Sequence, residues 1–146
     1  MEIRYRLPSD DAEWFRMRCK LWPGDPQSLR EGIAQLASDP DFVVIVAVRP
    51  DGSGLAAFAE VGTRKYADGC DTSPVAYLEG WYVDPDVRRQ GIGTALVRAA
   101  EAWARERGYR ELASDVLLEN IDSQRAHEAI GFTEVDRAVR YCKALT

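Results

Sequence analysis

Apolar residues recur at strand-like spacing in some stretches of the chain and at helical spacing in others. The strand-like stretches are residues 3–7, 41–49, 54–63, 74–83 and 111–118, followed by one or two last strands within 132–144. The helical stretches begin with a helix capped by Ser9 that ends near Leu21 and a second that carries Leu29, Ile33 and Leu36 and ends near residues 39–40. Two later helices are predicted from Gly91 to Arg107 and over residues 121–130.

This element order, β-α-α-β-β-β-α-β-α-β(-β), predicts one mixed α/β domain over residues 1–146 with a central, mostly antiparallel sheet flanked by helices. The turn at residues 50–53, Pro-Asp-Gly-Ser, indicates an antiparallel hairpin between the second and third strands. The strand at 74–83 lacks clean alternation, which is typical of a strand buried on both faces.

Composition places the chain among globular proteins, with 46% hydrophobic and 29% charged residues. No basic-then-apolar leader precedes the first strand, and no apolar run approaches membrane-spanning length. The cysteines at positions 19, 70 and 142 are odd in number and too widely spaced for a metal motif. We therefore expect a cytoplasmic protein with reduced thiols, no metal site and no membrane partner.

The net charge of −5 argues against nucleic acid as the main partner, because phosphate binding requires a basic face. The same charge is compatible with a small cationic substrate. Mild acidity also simply keeps a protein in solution, so charge alone does not choose between these interpretations.

The clearest chemical motif lies where the strand at 74–83 gives way to the helix after Gly91. Arg88, Gly91 and Gly93 form the pattern Arg-x-x-Gly-x-Gly, and free N–H groups at a helix N-terminus bind anions. A P-loop would need Lys followed by Ser or Thr after the second glycine, where this chain has Thr94-Ala95. A dinucleotide-binding fingerprint would need Gly or Ala at position 96, which is Leu. Neither motif is therefore present.

Placed after the strand Leu-Glu-Gly-Trp-Tyr-Val-Asp-Pro, this motif resembles the acyl-CoA pyrophosphate loop of the GNAT N-acetyltransferase superfamily. The resemblance implies the GNAT fold and acetyl-CoA as the cofactor. The cofactor-binding residues it implies are Trp81, Tyr82, Val83, Arg88, Arg89, Gln90, Gly91, Ile92, Gly93 and Thr94.

A second motif, residues 120–132, is similar to the GNAT helix in which an Asn contacts the pantetheine arm, here Asn120. Four residues before Gly131, where the superfamily commonly has a Tyr that protonates the leaving thiolate, this chain has His127. We expect His127 to lie near the cofactor rather than to act as an essential acid. Residues 19–23, 74–80, 113–115 and 127–132 together resemble the aminoglycoside 6′-N-acetyltransferases.

Acetyl transfer to an amine needs a neutral amine, a stabilised oxyanion and a leaving thiolate. The candidates for amine contact and proton acceptance are Glu79 and Asp115, which fall on neighbouring predicted strands where the two should diverge. The oxyanion role is expected of a backbone N–H on residues 81–83. The alternative for either carboxylate is a structural network or an arginine partner.

Three further residues are candidates for substrate binding. Trp22, at the tip of the first helix–loop, is a candidate wall of a sugar pocket, although a Trp beside a Pro turn also fits ordinary packing. Tyr66 and Asp71 lie in a polar loop, 65–73, from which they are expected to reach a substrate if they are not simply solvated.

The leading hypothesis from the resemblance is acetyl transfer from acetyl-CoA to the 6′-amine of an aminoglycoside, by direct attack in a ternary complex. One alternative is a GNAT enzyme acting on a polyamine or a protein N-terminus. Another, of a different class, is a non-catalytic acyl-CoA or drug-binding module. Because GNAT proteins often pair, we also expect a homodimer, with residues 139–144 as candidate contacts.

Overall fold

The computed structural model describes all 146 residues and contains five strands and four α-helices. In chain order these are β1 (Glu2–Tyr5), α1 (Asp11–Leu21), α2 (Pro26–Ala37), β2 (Val43–Val48), β3 (Leu55–Arg64), β4 (Val75–Val83), α3 (Ile92–Glu106), β5 (Leu112–Ser114) and α4 (Ile121–Ala129). Short 3-10 turns at Pro8–Asp10 and Pro85–Val87 lead into α1 and α3. The predicted order is confirmed through the last helix.

The strands form one mixed sheet in the order β1-β2-β3-β4-β5, in which every pair is antiparallel except β4 with β5. The predicted hairpin joins β2 and β3, and the Arg49 N–H donates to the Gly54 carbonyl at 2.9 Å across its turn. The fold class expected from the sequence, a mostly antiparallel sheet flanked by helices, is therefore confirmed.

Helices cover both faces of the sheet. On one face α3 packs Leu96 and Val97, both fully buried, against alanine and valine side chains of the central strands. On the other face α1 and α2 bury Trp14, Met17 and Ile33 against Phe58 and its neighbours. No helix combines the length and the apolar character needed to cross a bilayer.

A β-bulge in β4 decides which way the residues of this strand face. Glu60 pairs with Gly80 while Val61 pairs with Leu78, so Glu79 is an extra residue without a cross-strand partner. Side chains along a regular strand alternate between its two faces, so one extra residue reverses the face that each later side chain occupies. Trp81 therefore packs toward α3, while Tyr82 packs toward α1 and α2.

Three local expectations were wrong. Ser9 lies inside the 3-10 turn, and α1 begins at Asp11 without a side-chain cap from Asp10. The strand expected at 111–118 is only Leu112–Ser114, so Asp115 follows the strand instead of lying on it. The last strands expected within 132–144 are absent and residues 133–144 are exposed, because a strand needs a partner edge and this chain alone brings none to the segment.

Candidate active site

The site is built on an opening between β4 and β5. The two strands pair only where Ala76–Leu78 lies beside Leu112–Ser114, and β4 then continues to Val83 without a neighbour on that side. Backbone groups of residues 79–83 that point away from β3 are therefore open to a ligand. The predicted divergence of these strands is confirmed.

The segment 88–94 after β4, here called the phosphate loop, has the backbone geometry of an anion-binding turn. Arg89 and Gly91 have positive φ angles of 65° and 80°, and Gly91 caps α3. The first intrahelical bond runs from Ala95 N–H to the Gly91 carbonyl at 3.0 Å, so the amides before it have no helical partner. With no acidic residue in the first turn, the positive end of the helix is available to an anion.

Side chains hold this loop in place from below. The Arg88 Nε donates to the Val83 carbonyl at 2.9 Å, and Asp84 accepts hydrogen bonds from Arg16 and Arg49 at 2.9 and 3.0 Å. Burial alone would raise the pKa of Asp84, but these two guanidinium groups outweigh it and hold the pKa below its ordinary value. Asp84 is therefore ionised, and its two ion pairs hold the chain in place just before the phosphate loop.

Trp81 connects β4 to the start of α3. Its Nε1 donates to the Gly93 carbonyl at 3.1 Å, and a Cβ at position 93 would lie 3.2 Å from the indole ring. Glycine at this position therefore allows the helix start to approach the strand closely.

His127 is buried and engaged at both ring nitrogens. Nδ1 lies 2.7 Å from the Ser123 carbonyl, which only accepts, so in the neutral ring Nε2 accepts from the Ser114 hydroxyl at 2.8 Å. The ring also meets the edge of Trp81 at a centroid distance of 5.2 Å. Asn120 caps α4, accepting from the Ser123 N–H at 3.1 Å. Both residues thus have structural roles here, and their contact with a cofactor stays a prediction.

Asp115 lies at the mouth of the opening, immediately after β5. Its Oδ2 accepts a hydrogen bond from the Tyr77 hydroxyl at 2.5 Å, while Oδ1 has no partner within the chain. Burial, followed by this hydrogen bond and the charge of Asp115, raises the pKa of Tyr77 well above its ordinary value. Tyr77 therefore remains a hydrogen-bond donor at any pH near neutrality.

Glu79 lies beside Tyr77 and is paired with an arginine. Arg64 donates to both of its carboxylate oxygens at 2.9 and 2.8 Å, and the guanidinium carbon lies 3.5 Å from the centre of the Tyr77 ring. Glu79 therefore has an arginine partner, which was the alternative interpretation of this residue from the sequence. Arg64, Tyr77, Glu79 and Asp115 are here called the Asp115 cluster.

Sequence analysis did not single out Tyr77 or Arg64. A signal existed for Tyr77, which precedes Glu79 by two positions and so shares its face of β4. Arg64 is the cross-strand partner of Val75 and carried no such signal, because strand register is a property of the folded pair.

Trp22 follows α1 directly and borders a hollow of about 360 Å³. The Arg18 guanidinium lies 4.8 Å from the Trp22 ring and is held by two hydrogen bonds to the buried Glu60, at 2.6 and 3.0 Å. The residues lining this hollow are Arg18, Trp22, Leu36, Asp39, Phe42, Glu60, Gly62, Thr63 and Glu79. Trp22 and Glu79 therefore border one space, as a substrate pocket would require.

Tyr66 and Asp71 are not brought into the Asp115 cluster. Tyr66 is 72% exposed, and Asp71 is held only through its backbone N–H, which donates to Glu111 Oε1 at 2.9 Å. Their expected roles in substrate binding stay predictions.

The geometry joins two kinds of chemistry across one opening. On the α3 side lie helix amides and Arg88 and Arg89, which suit a phosphate-bearing ligand. On the α1–α2 side lie an unpartnered carboxylate oxygen of Asp115, an aromatic ring and Glu79, which suit an amine.

Comparisons with known proteins show the family of the chain. The family model described as "Acetyltransferase (GNAT) family" matches residues 7–132. An aminoglycoside N(6′)-acetyltransferase type 1 from Klebsiella aerogenes is 50% identical over 141 residues, covering 94% of this chain and 92% of that protein.

Solved structures give the same result. The apo aminoglycoside antibiotic 6′-N-acetyltransferase from Acinetobacter haemolyticus superposes with a TM-score of 0.94 at 33% identity over 100% of both chains. AAC(6′)-Iy in complex with the bisubstrate analogue CoA-S-monomethyl-acetylneamine gives a TM-score of 0.92 at 33% identity, covering 99% of this chain and 98% of that one. With a matching family model, relatives of this similarity and the strand opening above the phosphate loop, the chain belongs to the acetyltransferase (GNAT) family.

Proposed function

We propose that this protein transfers the acetyl group of acetyl-CoA to the 6′-amino group of an aminoglycoside. The observation that carries the proposal is the opening between β4 and β5, with an anion cradle on one side and the free Oδ1 of Asp115 on the other. Relatives at up to 50% identity bear the name of this activity, and a structural neighbour was solved with an analogue that joins CoA to an aminoglycoside derivative.

Acetyl-CoA is expected to place its pyrophosphate on the phosphate loop. The amides of Ile92, Gly93 and Thr94 and the side chains of Arg88 and Arg89 supply donors there, with Gln90 beside them. The pantetheine arm would then run along the open edge of β4 at residues 81–83, toward Asn120 and His127. The open edge and the family membership support this path.

In the reaction the amine nitrogen attacks the thioester carbon, so an N–C bond forms and the C–S bond breaks. Asp115 is the proposed acceptor of the amine proton, because Oδ1 is free while Tyr77 holds Oδ2 in place. A backbone N–H on residues 81–83 is proposed to stabilise the oxyanion. The departing thiolate takes up one proton, which balances the proton that the amine gives to Asp115, and leaves as the CoA thiol. No covalent acyl-enzyme is needed, since both substrates meet across the opening.

The antibiotic is proposed to lie between Trp22 and the Asp115 cluster, with Tyr66 and Asp71 at the rim. An aromatic wall suits the face of a sugar ring, and carboxylates suit its ammonium groups. The hollow of about 360 Å³ beside Trp22 and Glu79 has room for one such ring.

Residues 1–146 are proposed to form one acetyltransferase domain, since a single sheet runs through them and the family match spans 7–132. We also propose a homodimer in which the C-terminal segment of each copy contributes, because Val139, Tyr141 and Leu145 are 72%, 91% and 93% exposed. The compartment is proposed to be the cytoplasm, where the three unpaired cysteines would stay reduced.

The test is release of CoA thiol from acetyl-CoA with a panel of amines: kanamycin, an aminoglycoside with a 6′-hydroxyl in place of the amine, spermidine and a short peptide. Turnover confined to compounds with the 6′-amine supports the proposal. Turnover with spermidine or peptide alone would replace the substrate and keep the chemistry. Binding of acetyl-CoA or drug without thiol release would replace the enzyme with a binding module.

A further inference from the structure

The Asp115 cluster already contains a cation of its own. Arg64 lies among Tyr77, Glu79 and Asp115. In the proposed function these three residues bind the substrate amine or support a residue that does. Arg64 makes a two-pronged ion pair with Glu79, at 2.9 and 2.8 Å, and covers the Tyr77 ring at 3.5 Å. The guanidinium therefore occupies a site formed by one carboxylate and one aromatic face.

That combination is what recognises a substrate ammonium. An aromatic face attracts a cation through its quadrupole, and a carboxylate adds charge and hydrogen-bond acceptors. The surrounding charges are Glu79 and Asp115 on the negative side and Arg64 on the positive side, with Tyr77 neutral. While Arg64 remains in this position, its positive charge offsets the charge of Glu79, and Asp115 is the carboxylate open to an amine.

Arg64 can leave this position without disturbing the sheet. It is the last residue of β3, so its side chain stands at the border between the sheet and the polar loop that follows. Its side chain is 43% exposed and that of Glu79 is 31% exposed. Because both groups of this ion pair are partly open to water, a polycationic ligand can reach Glu79 and compete with the guanidinium for it.

We propose that Arg64 is an internal competitor: its guanidinium holds the ammonium site of the empty enzyme, and a cationic substrate binds by displacing it from Glu79 and Tyr77. Arg64 thereby lowers the affinity for aminoglycosides. This inference rests on the proposed function, because it takes the Asp115 cluster as the amine site.

Competition with the substrate and support of Glu79 predict opposite changes in the aminoglycoside KM when Arg64 is removed. If Arg64 served to orient Glu79 for the substrate, its removal would weaken binding and raise the KM for the aminoglycoside. If Arg64 competes with the substrate, its removal lowers that KM. Because Arg64 also packs on Tyr77, which holds Asp115, the direction of the KM change is the readout that separates the two roles, and kcat is not.

The experiment measures kcat and both KM values for kanamycin and acetyl-CoA in Arg64→Gln. We expect the kanamycin KM to fall about fivefold, which is the scale of one exposed ion pair, with the KM for acetyl-CoA unchanged. Arg98→Gln removes the same charge on α3, where Arg98 pairs with Glu101, and is expected to change neither KM. A fall in the kanamycin KM of the same size in Arg98→Gln would overturn the proposal.

Glu79 supplies the second arm. In a Glu79→Gln background, Arg64 has lost its partner, so adding Arg64→Gln should no longer lower the KM. A raised or unchanged kanamycin KM in Arg64→Gln, or an equal fall with and without Glu79, overturns the proposal. These outcomes are distinct from failure of the proposed function, which would appear as absence of aminoglycoside acetylation by the parent protein.

Discussion

Gly80→Ala tests whether Trp22 is held by contact with β4. A Cβ at Gly80 would lie 2.5 Å from Trp22 Cη2 and 3.1 Å from Cζ2, and ordinary carbon contacts lie near 3.5 Å. The indole ring must therefore retreat by about 1 Å, because the strand at this position pairs with Glu60 and cannot yield. Overpacking of this kind costs about 1–3 kcal/mol in the free energy of unfolding.

The same displacement moves the proposed wall of the sugar pocket. We expect the aminoglycoside KM to rise about tenfold, while the KM for acetyl-CoA stays at the parent value because the phosphate loop lies on the other face. Steady-state kinetics with each substrate varied in turn, together with a thermal melt, measures both effects. A fall in Tm of about 5 °C is the expected size for this length of chain.

Gly24→Ala is the matched control, because no atom lies within 4 Å of a Cβ placed there. A second control is the Trp22→Ala background, in which the obstructing ring is gone and Gly80→Ala should cost little. If Gly80→Ala behaves like Gly24→Ala in both assays, the contact between Trp22 and β4 does not position the wall.

Three further predictions follow from the anchors of the site. The arginine partners of Asp84 lower its pKa, so the stabilisation from this carboxylate is complete above the ordinary pKa of an Asp and is lost as the pH falls through the lowered pKa. Asp84→Asn should therefore reduce the free energy of unfolding, measured in urea, by about 2 kcal/mol at neutral pH and by less at pH 3. Gly91→Ala, at a φ of 80°, should cost about 1 kcal/mol and raise the KM for acetyl-CoA, measured by initial rates, without changing that for the antibiotic. Tyr77→Phe should lower kcat about tenfold in the same assay, because Asp115 loses its hydrogen bond, and an unchanged kcat would remove Tyr77 from the mechanism.

Local patterns predicted those parts of the site whose geometry is itself local. The phosphate loop required only a glycine that accepts a positive φ and an amphipathic helix after it, and both are visible in the sequence. Glu79 and Asp115 were placed near the point of divergence because each lies on a predicted strand. The strand pairing there ends as expected.

Parts of the site that depend on pairing were not predictable in the same way. The bulge at Glu79 arises from the register of β3 against β4, and it sends Trp81 toward α3, where its indole bonds to Gly93. The pair between Arg64 and Glu79 joins residues fifteen positions apart in the chain. A single sequence shows both charges but not that they meet.

The last strands show the same limit more plainly. Residues 132–144 contain Val135, Val139 and Tyr141 at strand-like positions, yet they are 59%, 72% and 91% exposed and form no strand. Propensity for a strand is realised only when an edge is available to pair with. The residues are therefore candidates for contact with a second copy, and sedimentation showing only monomer would contradict the proposed dimer.

Whether Asp115 accepts the amine proton is decided by the kinetics of Asp115→Asn, which keeps the shape of the side chain and removes its ability to take that proton. We predict a fall in kcat for kanamycin of about a hundredfold or more, with acetyl-CoA affinity and Tm at parent values. Asp51→Asn, in the β2–β3 turn, serves as the control. Full turnover in Asp115→Asn would show that Asp115 does not accept the proton of the attacking amine.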